Sequence, residues 1–166
     1  MAPEPWLRGP LPDVDPHLMP AAHALVQGSE DLAQAASGLT SEQLRARPGG
    51  AASVGFHLVH IAGSIDRLLT YARGEALNQS QRAAAAAEAS AAESGDAAAL
   101  ITQAQAAIEV ALRQIRGTPA ETLLEPRAVG RARLPSTVLG LLFHVAEHTQ
   151  RHVGQLIATA KVAKGQ

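Results

Sequence analysis

Histidines 144, 148 and 152 recur every four residues near the C-terminal end of the sequence. At helical spacing His148 and His152 lie about 40° apart, inside the face that also carries Leu141, Val145 and Leu156. An i, i+4 pair of imidazoles can hold one divalent ion from a single helical face. His144 cannot easily complete the same site, because it stands about 12 Å from His152 along a helix axis. An ion, by contrast, sits about 2.0–2.1 Å from each ligating nitrogen. A third ligand must therefore come from another helix, leaving a coordination position for water or substrate. His57 and His60 are the candidates. A helical wheel puts His57 nearer the main apolar stripe and His60 on a flank with Phe56, Arg67 and Tyr71, so periodicity slightly favours His57 and leaves the choice open. The competing reading of any lone inward histidine is a hydrogen-bonded core residue.

The elements that must carry these residues are helical. Six prolines between Pro3 and Pro20 forbid a helix there and predict an extended arm over residues 1–19, with Trp6 and Leu7 as its expected anchors. A first helix opens at Pro20 and runs through Leu25 and Leu32 to Gly38. A second begins at the N-cap Ser53 and repeats Val54, Leu58, Ile61, Ile65, Leu68, Leu69 and Ala72 at threes and fours before Gly74. Residues 75–94 are low-complexity Ala, Ser, Gln and Glu, with helix propensity but little apolar surface to bury, and read as a helix extension or a mobile connection. Asp96 caps a third helix through Leu100, Ile108, Leu112 and Ile115 to Gly117. An irregular Arg/Gly stretch follows, and Pro135-Ser136-Thr137 opens a fourth helix reaching about Ala163. With no convincing strand alternation, the prediction is an all-α four-helix bundle formed by residues 20–166. The long link between the second and third helices permits a crossover between parallel neighbours, hence an up-down-down-up order.

Composition narrows the function. Lys+Arg 14 against Asp+Glu 15 gives a formal net charge of -1, which speaks against nucleic-acid binding and against a polybasic route to membranes. No apolar run approaches the ~20 residues of a membrane span. The N-terminus lacks the pattern of a signal peptide, so the expected location is the cytoplasm. With Cys 0, disulfides, thiolate metal sites and cysteine nucleophiles are excluded.

Two segments then carry a family resemblance over nearly the whole chain from about residue 18. One is Ser53-Val-Gly-Phe-His-Leu-Val-His60-Ile, closing at Gly74. The other is His144-Val-Ala-Glu-His148-Thr-Gln-Arg-His152-Val-Gly-Gln155. Together they resemble the DinB/YfiT-like metal-binding bundles, whose pattern is His-x-x-x-His-x-x-x-His-x-Gly-Gln. The resemblance implies that His60, His148 and His152 bind one divalent ion per chain, since the distance from His60 to Gly74 keeps the family's register. His57 and His144 become neighbours of the ligands or of the pocket, and the bundle is expected to form a homodimer. The family's tryptophan ahead of the first ligand is missing; Ala51 and Ala52 occupy that region, so the pocket differs in shape.

A three-histidine ion with an open position is the layout of catalytic zinc, which can bring the pKa of a bound water to about 7 or polarise a substrate oxygen. Imidazole ligands suit zinc and nickel alike. Some relatives use low-molecular-weight thiols; here such a thiol would be a cosubstrate. Gln155 returns to the side of His152 and could hydrogen-bond a bound water, or else be an inter-helix amide. Glu147 points about 100° away from its ligand neighbour. Asp66 and Arg67 read as surface charges or inter-helix contacts. Arg127, Arg131 and Arg133 could attract an anionic substrate, although a solvated loop is the plainer reading. The expectation is a divalent-metal-dependent hydrolase or thiol transferase. The alternatives are a non-catalytic metal-binding stress or sensing protein and a structural dimerisation bundle.

Overall fold

Each long helix after the first begins where the sequence supplies a side-chain cap. Ser53 Oγ accepts from the Phe56 amide at 3.1 Å, Asp96 Oδ1 from Ala99 at 2.9 Å, and Thr137 Oγ1 from Gly140 at 3.0 Å. Each cap satisfies an otherwise orphaned donor and contributes about 1 kcal/mol. In the computed structural model, which describes residues 3–166, the helices are α1 (Met19–Ala36), α2 (Ser41–Arg45), α3 (Val54–Ala72), α4 (Gln79–Ser94), α5 (Ala97–Arg116) and α6 (Val138–Ala163).

Helices α1, α3, α5 and α6 form the four-helix bundle: α1 and α3 each pack on both α5 and α6. Its order is up-down-down-up. The parallel step from α3 to α5 requires a crossover, and α4 fills it. The core is aliphatic, with Leu25 and Leu32, Leu58, Ile61 and Ile65, Ile108 and Ile115, and Leu142 and Leu156 fully buried from the four helices in turn. Burying each such side chain stabilises the fold by about 1.5–3 kcal/mol. Among the described residues no helix is long and apolar enough to cross a membrane.

Three sequence expectations need correcting. Residues 75–94 are neither an extension of α3 nor a loose tether. Asn78 starts a separate helix with a reciprocal capping box, its side chain accepting from Gln81 N at 2.9 Å while Gln81 Oε1 accepts from Asn78 N at 3.0 Å. That helix packs against α3. The approach is close because the facing positions are small: a Cβ at Gly55 would lie 3.1 Å from the Ala92 carbonyl. The irregular Arg/Gly stretch is a hairpin, β1 (Pro126–Val129) against β2 (Leu134–Thr137), antiparallel with Pro126 opposite Thr137 and Val129 opposite Leu134. Arg127 Nε fixes it to the end of α3 by donating to the Ala72 carbonyl at 2.8 Å. Four-residue strands carrying two prolines are too short to show alternation. Finally, Trp6 and Leu7 do not anchor the arm. They are 61% and 57% exposed, and the buried residues there are Pro5, Val14 and Leu18.

Candidate metal centre

Helix α3 presents His57 and His60, and α6 presents His148 and His152, on facing surfaces. His60 Nε2 lies 3.1 Å from His148 Nε2. His152 joins them, its ring centroid 4.4 Å from that of His60 and 4.6 Å from that of His148. His60, His148 and His152 each offer one nitrogen, and these atoms lie within 4.8 Å of one another. Two imidazole nitrogens 3.1 Å apart can share a proton. They are also at the spacing that two ligands of one ion adopt when each bond is about 2.0–2.1 Å.

The rings are held from behind. His60 Nδ1 is 2.7 Å from Glu88 Oε2, and His152 Nδ1 is 3.0 Å from His57 Nδ1. These contacts leave one nitrogen of each ring free to face the cluster. Phe56 stacks on His60 at 5.5 Å with 11° between the planes. The Nδ1 of His148 is buried and without a partner among the described residues.

Electrostatics favour neutral rings. Burial first, then repulsion from His60, His148, His57 and Arg151, pushes His152 down to about 4. Burial likewise lowers His148, helped by His60, His144 and Arg151 and opposed by Glu147; His57 is lowered by burial and then by His60. Imidazoles kept neutral at neutral pH offer lone pairs rather than protons, so His148 and His152 suit a divalent ion.

The remaining candidates separate by position. His57 is the more deeply buried of the α3 pair at 3% exposure, as the wheel indicated, yet the group of three contains His60 and not His57. His144 lies one turn outside, its Nδ1 3.1 Å from Glu147 Oε2. Glu147 also pairs with Arg151 along the helix. Gln155 is exposed on α6 and its side chain makes no hydrogen bond among the described residues. Arg131 and Arg133 lie exposed in the hairpin turn. A cleft of about 370 Å³ opens beside His60 and His148, walled by Ser64, Arg67, Leu68, Tyr71, Leu77 and His144.

The sequence pattern of the DinB superfamily matches residues 24–156. The chain belongs to the DinB superfamily. Among solved structures this DinB chain is similar to YfiT from Bacillus subtilis, described as a probable metal-dependent hydrolase with an unusual four-helix bundle topology. The TM-score is 0.68 at 15% identity, covering 88% of this chain and 86% of that one. At that identity the likeness speaks for the fold. No curated protein matches the chain in sequence.

Sequence reasoning missed Glu88 and underrated Arg67, whose Nη1 donates to Glu88 Oε1 at 2.6 Å. The one available signal was a single carboxylate inside the alanine run of residues 83–92.

Proposed function

We propose that His60, His148 and His152 hold one divalent ion, zinc or nickel, and that this DinB-superfamily protein is a metal-dependent enzyme acting on a small molecule bound in the adjoining cleft. The observation that carries the reading is the convergence of three imidazoles from two helices, two of which, His60 and His148, line that cleft. An ion held by three imidazoles keeps an open coordination position and supplies Lewis-acid chemistry toward a substrate oxygen, sulfur or water.

The chain's own residues supply the rest. Leu68 and Leu77 give the cleft an apolar wall, while Arg67 and Tyr71 offer polar contacts. His144, on the same wall and partly exposed, is placed to pass a proton between the cleft and solvent. Neither neighbouring carboxylate is free to act as a base, since Glu88 is engaged by His60 and Arg67, and Glu147 by His144 and Arg151. Hydrolysis is the reaction that the description of YfiT favours. Transfer involving a low-molecular-weight thiol is the alternative, and the thiol must then be a substrate because the chain has no cysteine.

Turnover of a panel of small esters, amides and thiol conjugates by untagged, metal-loaded protein tests this. Activity lost on chelation and restored by zinc or nickel is expected. Metal-loaded protein that turns over neither class contradicts the enzymatic part of the proposal.

A further inference from the structure

Helix α4 buries two side chains, Ala92 and Glu88. A buried carboxylate on an otherwise alanine-rich helix needs a reason, because such groups are seldom buried unless paired. Glu88 is 8% exposed and both of its oxygens are used, Oε2 by His60 Nδ1 at 2.7 Å and Oε1 by Arg67 Nη1 at 2.6 Å.

The space that holds this pair is made by a missing side chain. A Cβ at Gly63 would lie 2.5 Å from Glu88 Oε1 and 2.9 Å from Arg67 Nη1. Three positions, on α3 and α4, thus combine to place one carboxylate oxygen against one ring nitrogen.

A carboxylate accepts, so this contact puts the His60 proton on Nδ1. Nε2 is then unprotonated, with its lone pair facing His148 Nε2 at 3.1 Å. We infer that Glu88 is a positioning residue for the metal centre: through Nδ1–H it fixes the tautomer and orientation in which His60 offers Nε2 to an ion, with Arg67 holding the carboxylate and Gly63 leaving it room. The inference rests on the three-histidine reading above. It gives the crossover helix a role in the chemistry, since the third ligand is aimed by an element outside the bundle. Losing a carboxylate partner behind a ligating imidazole weakens metal binding by about 10–100-fold.

The test measures zinc affinity by competition with a chromophoric chelator in the wild-type protein and in Glu88→Ala, Glu88→Gln and Gly63→Ala. It also reads the His60 tautomer in the metal-free proteins by nitrogen-15 NMR. Glu88→Ala should weaken zinc binding by about 10–100-fold and lose the pure Nδ1–H tautomer. Glu88→Gln, which keeps an accepting oxygen without the charge, should fall between. Gly63→Ala leaves the carboxylate in the chain but puts a methyl against Glu88 Oε1 and Arg67 Nη1, and should cause a smaller loss than Glu88→Ala with the helix content unchanged. Should Glu88→Ala not fold, Glu88→Gln carries the test. Wild-type zinc affinity and tautomer in the folded variants would overturn the inference while leaving the metal centre standing. A wild-type protein that takes up no zinc or nickel would overturn the three-histidine reading, and the inference with it.

Discussion

Helix α6 packs against α3, buries Leu142, Val145 and Leu156, and brings two imidazoles to His60. Helix α4 packs against the same helix with alanines, the buried Ala92 and one carboxylate. The first contact draws its stability from large apolar side chains removed from water. The second has almost no such area, and its closeness comes from Gly55 and Gly63 on α3, which make room for Ala92 and for the Glu88 side chain on α4. Stability and placement are therefore divided between two neighbours of one helix. A segment that contributes little to the core can still hold a side chain of the histidine cluster, provided it approaches closely and is capped at its start.

The largest energetic contrast should come from deleting bulk in each region. Leu142→Ala removes a side chain with no exposed surface and should cost about 2–5 kcal/mol in urea denaturation. A much smaller cost would mean that the core around α6 is loosely packed.

Acid should come next. His57, His148 and His152 are held below the ordinary imidazole value in the fold, His152 at about 4. The unfolded chain takes up protons near pH 6.5, where the folded chain still resists them. The stability these rings contribute is therefore full above about pH 6.5 and is lost as pH falls toward about 4. Melts of chelator-treated protein should show a lower Tm at pH 5 than at pH 7.5, and His152→Gln should flatten the difference. An unchanged Tm would contradict the burial of the rings.

The smallest effect belongs to the exposed face of α4. Ala86→Gly should cost about 1 kcal/mol or less, the difference in helix propensity alone. A cost equal to that of Leu142→Ala would erase the distinction between the two regions.

Much of α3 and α6 was legible because their signals are local. Val54, Leu58, Ile61 and Ile65 repeat at helical spacing, Ser53 stands where an N-cap belongs, and His148 and His152 share a face with Leu141, Val145 and Leu156. The wheel was right that His57 is the deeper ring. Depth alone did not pick out the group of three, which takes in His60, the ring on the flank beside the cleft. Glu88 was illegible for a different reason: its partners His60 and Arg67 lie in another helix, and no periodicity in residues 83–92 announces them. The hairpin escaped because its pairing depends on a turn through Gly130 and Arg133, both at positive φ, and on the Arg127 contact to the end of α3.

The central claim is that three imidazoles, including the flanking one on α3, make a single metal site. Elemental analysis of untagged protein, compared with His60→Ala and His57→Ala, tests it most directly. About one zinc or nickel ion per chain is expected in the wild-type protein and in His57→Ala, with the ion lost from His60→Ala. Metal retained by His60→Ala and lost from His57→Ala, or a wild-type protein that takes up none, would contradict the account.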